Sequence, residues 1–139
     1  MHMTGILRDL ACQLQALMRG VSRRHRLSLT QAQVLLNLPV DGLPLSSLAH
    51  RLGLDISTIS RIADKMVQRQ WVRREAAADD KRVSRVVPTK EGQALYRQLS
   101  DSLDDEVKTL LAGLDGKRQE SLGQHLEELT WRMLQQRTR

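Results

Sequence analysis

Phenylalanine is absent from this chain of 139 residues; tyrosine occurs once and tryptophan twice. A sheet-rich fold draws on aromatic and β-branched side chains, so an apolar set led by leucine leans towards helix. The single cysteine, Cys12, excludes an intramolecular disulfide and points to a reducing compartment. No apolar run is long enough to span a membrane or to serve as a signal-peptide core, so the chain reads as cytoplasmic with no membrane partner. The histidines, His2, His25, His50 and His125, do not fall at metal-ligand spacing. No Ser-His-Asp or Cys-His arrangement and no glycine-rich phosphate loop can be placed. The expectation is therefore a protein without metal or cofactor, and not an enzyme. The length suits one domain with one core.

What is present is positive charge, unevenly spread. The formal net charge is +6 and the sequence pI is near 10.2, which favours a polyanionic partner. Residues 1–29 carry a net +4, residues 30–92 a net +3 and residues 93–139 a net −1. The stretch from Arg61 to Arg85 alone carries eight basic and four acidic residues.

Periodicity divides the chain into elements. Leu7, Leu10, Leu14, Leu17, Met18 and Val21 form one stripe on a helix over residues 4–25. Thr30 with Gln33 has capping-box spacing, and Leu29 with Val34 the spacing of a hydrophobic staple; a helix is predicted from Thr30 to Pro39. "VDGLP" reads as a connector. "SSLAHRL" (46–52) makes two helical turns, Gly53 ends them in the left-handed conformation, and Asp55 caps a helix from Ile56 to about Arg69. Two short helices joined through a glycine turn match a helix-turn-helix. "WVRRE" and "RVSRVV" are extended segments around a polar tip, a hairpin pattern. Thr89 caps a long helix, "DG" at 115–116 breaks it, and a last helix carries Leu122, Leu126, Leu129 and Met133 at heptad spacing. The fold class is mainly α with a small β-hairpin wing: a winged helix-turn-helix with helical N- and C-terminal regions.

The stretch "LGLDISTISRIADKM" carries the functional expectation. On a helical wheel Ile56, Ile59, Ile62, Ala63, Met66 and Val67 lie on one side, a buried anchor with three isoleucines. Ser57, Arg61, Asp64, Lys65 and Gln68 lie opposite, with Thr58 and Ser60 on the flanks. Small hydroxyls in the first turn allow close approach to phosphates, which helix N-terminal amides favour, and an arginine one turn later can contact guanine N7 and O6. At the hairpin tip Lys81 and Arg82 are placed to reach a minor groove, and Asp80 to hold the arginine in one rotamer.

The segments "LTQAQVLLNL", "LSSLAHRLGLDISTISRIADKMVQRQWVRR" and "DDKRVSRVVPTKEG" resemble the MarR family of bacterial winged helix-turn-helix regulators, closely from about Leu29 to Gly92 and in layout over nearly the whole chain. The resemblance implies a single MarR-like domain over 1–139 and a homodimer on double-stranded DNA. Residues 29–92 would form the DNA-binding lobe, with a recognition helix at 56–69 and a wing at 71–88; residues 4–25 and 93–137 would form the dimerisation region. It also implies repression relieved by a small anionic or phenolic effector, or by an oxidant. Three positions depart from the family pattern: Gln70 stands in place of a glycine, Lys81 in place of the first wing arginine and Pro88 in place of an apolar residue.

The apolar stripes at 7–21 and 122–133 are best explained by burial against each other and against a second chain, with an intramolecular core alone as the alternative. Arg23, Arg24 and Arg26, where the first helix meets the DNA-binding lobe, are candidates for phosphate or effector contact, beside the plainer reading of a solubilising surface. Cys12 falls opposite the leucine stripe, with Arg8 the one local group able to favour a thiolate; an inert cysteine is the favoured reading and redox sensing the alternative. A winged-helix module that binds protein without DNA specificity is the other alternative, disfavoured by the outward Arg61 and Arg82.

Overall fold

The computed structural model describes residues 2–77, 79–80 and 82–138. Its elements run α1 (Met3–Arg24), α2 (Leu29–Leu36), β1 (Leu43–Pro44), α3 (Leu45–Leu52), α4 (Ile56–Gln68), β2 (Val72–Ala76), β3 (Ser84–Pro88), α5 (Lys90–Leu111) and α6 (Gly116–Arg137). This is the expected order with one addition, β1. Contacts divide the chain into two units, Met1–Leu103 and Asp104–Arg139.

In the first unit, α1, α3 and α4 end in the same way. Arg26, Gly53 and Gln70 take positive φ angles of 61°, 66° and 64°, and the amides at and just after each turn back to helix carbonyls. Gln70 N bonds Val67 O at 2.9 Å and Trp71 N bonds Met66 O at 3.1 Å, the two bonds of a Schellman motif. Gln70 thus keeps the left-handed turn for which glycine is the easier residue.

The start of α2 corrects the sequence reading. Ser28, not Thr30, is the cap: its Oγ accepts from Gln31 N (3.1 Å), and Gln31 Oε1 accepts from Ser28 N (3.0 Å). Both pairs have capping-box spacing, so local pattern does not separate them. The left-handed turn at Arg26 and the burial of Leu27 bring the chain into helix two residues earlier. The staple positions then fall on Leu27 and Ala32, both buried, in place of Leu29 and Val34.

"VDGLP" is more than a connector. Leu43 and Pro44 pair antiparallel with Val86 and Arg85, giving a three-stranded sheet ordered β1-β3-β2. Gly42 (φ 81°) permits this approach, since a Cβ there would run into the Val86 carbonyl. Pro88 lies opposite Val72. The neighbouring bond from Thr89 N to Trp71 O makes Val72 and Pro88 a non-hydrogen-bonded pair, so the missing N–H of Pro88 removes no bond to β2. Thr89 caps α5 by accepting from Gly92 N (3.1 Å) and donates to the Gln70 and Trp71 carbonyls. Gly92 packs where a Cβ would collide with the Trp71 carbonyl oxygen. The helix-turn-helix, wing and start of α5 are thereby bound together around a core of Val34, Leu35, Leu48, Ile59, Met66, Val72, Val86 and Leu99.

The second unit is the end of α5, a turn and α6. Asp115 caps α6 by accepting from Arg118 N (2.8 Å), and Gln119 Nε2 donates to the Leu111 and Leu114 carbonyls. No described residue of α6 is buried.

Candidate nucleic-acid interface

Helix α4 is anchored by its middle. Ile59, Ala63 and Met66 are fully buried, but Ile62 is only partly covered, Val67 is exposed, and Ile56 is 54% exposed. The expected anchor of three isoleucines is therefore one isoleucine with Ala63 and Met66. A helical wheel assigns direction and not depth, and Ile56 and Val67 lie towards the two ends of the helix, beyond its buried middle.

The outward residues divide into two groups. Ser57, Arg61, Lys65 and Gln68 are exposed. Thr58 and Ser60 are half-buried, and Ser60 and Asp64 are held by a residue missing from the sequence expectation. Arg74 of β2 donates from Nη2 to Ser60 Oγ (2.8 Å) and to the Ser60 carbonyl (3.3 Å), and its Nη1 pairs with Asp64 Oδ1 at 3.1 Å. The signal was in the strand alternation: Arg74 shares a sheet face with buried Val72, so its charge required partners within the fold.

Asp55 occupies the N-cap position with extended backbone, but its side chain makes no capping bond to a helix amide. Hydrogen bonds from the Thr58 and Ser57 hydroxyls hold its carboxyl below the usual range; Ser57 Oγ lies 2.9 Å from Oδ2. Arg61 Nη2 in turn reaches Thr58 Oγ1 at 3.5 Å, a long contact. At the other end, the Arg69 guanidinium lies 5.3 Å from the centre of the Trp71 ring, a cation–π distance.

The wing tip has the expected local geometry. Asp80 Oδ1 accepts from Arg82 N (3.0 Å) and Nε (3.2 Å), and Oδ2 accepts from Nη2 (3.3 Å). The Arg82 guanidinium holds the Asp80 carboxyl below its ordinary value, while the arginine side chain is 91% exposed. Lys81, the other expected wing residue, lies outside the described residues.

Arg23, Arg24 and Arg26 are exposed. His25 between them contacts Ser102 Oγ through Nε2 at 2.8 Å, linking α1 to α5. None of the three arginines lines the cavity of about 260 Å³ between the end of α2 and the start of α5. Its walls are Leu35, Leu38, Pro39, Val40 and Pro88, with Gln93, Tyr96 and Arg97 as polar groups; sequence patterning alone did not single out those three. Cys12 is exposed on α1. Among the described residues there is no cluster able to hold a metal, and no helix is long and apolar enough to cross a membrane.

Residues 27–84 match the MarR family model. No curated protein matches the chain. Among solved structures, a MarR transcriptional regulator from Methanosarcina mazei Go1 is 22% identical, with a TM-score of 0.84 over 95% of this chain and 96% of that one. CouR from Rhodococcus jostii RHA1, bound to p-coumaroyl-CoA, is 18% identical with a TM-score of 0.79 over 92% and 91%. A mutant of MepR from S. aureus, bound to an oligodeoxyribonucleotide, is 18% identical with a TM-score of 0.63 over 96% and 99%. The family match spans the helix-turn-helix and most of the wing, and the fold is shared with solved MarR regulators along nearly the whole length of the chain.

Proposed function

We propose that this protein is a sequence-specific DNA-binding transcriptional regulator: a homodimeric repressor on a pseudo-palindromic operator, released by a small-molecule effector. The observation that carries the reading is the exposed face of α4, with Ser57, Arg61, Lys65 and Gln68 outward on a helix whose opposite face is anchored in the core. Arg61 and Lys65 lie beyond the first turn, where long side chains reach base edges once the helix N-terminus has docked on phosphate. Arg82, extended from the wing by Asp80, adds a cation for the minor groove or backbone. The DNA-bound state of MepR supports the same use of the fold.

In this reading residues 29–92 are the DNA-binding lobe, and residues 4–25 with 93–137 form the dimerisation region. Support for the dimer lies in apolar side chains left uncovered: Ile6 and Leu14 on α1, Leu110 on α5, and Leu122, Leu126 and Met133 on α6. A two-fold dimer presents its recognition helices about 34 Å apart, one helical turn of DNA. The effector is a small apolar molecule with an anionic or phenolic group. The cavity beside Tyr96 and Arg97 offers it an apolar wall and a cation, and the ligand-bound state of CouR supports a ligand-responsive role.

The test is selection of genomic fragments by the purified protein, followed by affinity measurements across a salt series. A palindromic site is expected, with affinity falling linearly in log–log salt. Arg61→Ala should lose about 1–3 kcal/mol of discrimination at one base pair. An operator bound as tightly by Arg61→Ala as by the parent would remove Arg61 from the reading set.

A further inference from the structure

We propose that Arg74 is a positioning residue that locks the wing to the recognition helix, so that Ser60 and Asp64 maintain the DNA-reading surface instead of reading bases. The inference rests on the DNA-binding function proposed above and adds to it a division of labour along α4.

Ser60 and Asp64 stand four residues apart on one helix face, a spacing that makes them neighbours. The Arg74 guanidinium spans that turn, taking the Ser60 hydroxyl and carbonyl through Nη2 and the Asp64 carboxylate through Nη1. Its Nε is buried without a hydrogen-bond partner. An arginine that leaves one donor unsatisfied in order to bring the other two arms onto α4 is held there by the fold, and its planar fork sets both distance and angle. Arg74 belongs to β2, whose residues 72–76 pair with β3 residues 84–88; the hairpin that carries Arg82 is thus tied to the middle of α4. Such a lock stores the relative placement of Arg61, Lys65 and Arg82 before DNA arrives, which lowers the ordering cost of binding.

The proposal runs against the simple electrostatic expectation. Asp64 is an acidic residue on the helix face assigned to DNA, and deleting a negative charge there should strengthen binding to a polyanion. If Asp64 instead holds Arg74, deleting it should weaken specific binding.

The experiment measures operator and random-sequence affinity over a salt series for the full-length protein and for Asp64→Ala, Ser60→Ala, Arg74→Met and Arg74→Lys. Asp64→Ala and Arg74→Met are expected to lose operator affinity by about tenfold, equivalent to 1.4 kcal/mol, with the salt slope and random-sequence binding unchanged. Ser60→Ala, which leaves the Ser60 carbonyl in place, should show a smaller loss in the same direction. Arg74→Lys should resemble Arg74→Met, because a lysine keeps the charge without the fork. The double variant of Asp64 and Arg74 should be no weaker than the weaker single one.

Asp64→Ala binding the operator as tightly as the parent, or more tightly, would overturn the proposal. So would a salt slope lowered by about one in Arg74→Met, the mark of a direct phosphate contact. If Arg74→Met does not fold, Asp64→Ala decides the matter alone, since it places a strong helix former at an exposed helix position. A parent protein that selects no DNA site overturns the DNA-binding function and this lock with it; a parent that selects a site while all variants match it overturns only the lock.

Discussion

Helices α4 and α6 carry the same kind of pattern and meet different fates. In α4 the middle of the apolar side is covered by its own chain, so that Ile59, Ala63 and Met66 are completely buried. In α6 three of the four heptad residues, Leu122, Leu126 and Met133, remain 38%, 40% and 57% exposed, Leu129 is half-buried, and no described residue of the helix is buried. Periodicity states which face of a helix is apolar. It does not state what covers that face: α3, β2 and α2 contact α4 in the first unit, whereas α6 keeps its stripe open. An open stripe of this length is the surface on which a second chain gains the most by docking.

The largest expected effect separates the two helices' environments. Leu48→Ala, in the core that α4 packs on, should cost about 2–5 kcal/mol of unfolding free energy, measured by denaturant titration. Leu126→Ala should instead cost about 1–2 kcal/mol in a form that depends on protein concentration, and should shift the monomer–dimer equilibrium seen in sedimentation. A Leu126→Ala variant with unchanged stability and association would mean that the α6 stripe faces only water.

A smaller effect tests how α4 ends. Gln70 adopts φ 64°, which an L side chain resists, and Gln70→Gly should stabilise the protein by about 0.5–1 kcal/mol. The gain belongs to the first unit alone, so the α6 equilibrium should stay where it was. Unchanged or lower thermal stability would show that the Thr89 bond to the Gln70 carbonyl already offsets the strain.

The smallest effect is a pH dependence at the surface of the first unit. The Asp80 carboxyl is depressed by Arg82, and that of Asp55 by the Thr58 and Ser57 hydroxyls. A depressed carboxyl contributes above its unfolded value, about pH 4, and loses that contribution as pH falls through the lower folded value. The Asp80–Arg82 contact should therefore persist from neutrality to about pH 4 and open below it. Carboxyl chemical shifts followed by NMR should show both midpoints below the ordinary carboxylate value, about pH 4. A midpoint for Asp80 at the ordinary carboxylate value would mean that Arg82 is not held.

Much of the fold was legible because its signals are local. The Gly53 turn, the Asp55 position, the Thr89 cap and the break before α6 each depend on residues within a few positions of one another, and each appears where the pattern put it. Where two equivalent signals competed, as Ser28–Gln31 and Thr30–Gln33 did, local chemistry did not choose; the burial of Leu27 did. The strand β1 escaped because two residues carry no periodicity, and its pairing depends on a partner 43 residues away in β3.

The sequence by itself determined the order of the helices and of the hairpin strands, most of their beginnings and ends, and the basic outward face of α4, because helix period, capping chemistry and glycine conformation act over a few residues. Only the tertiary structure decided which outward residues the wing strand takes up. Ser57, Arg61, Lys65 and Gln68 project from α4, while Ser60 and Asp64 are taken by Arg74 from a strand 14 and 10 residues further on. A helical wheel cannot contain that distinction, since it depends on how the twisted hairpin packs back across the helix and carries a charge to the inner face of the sheet.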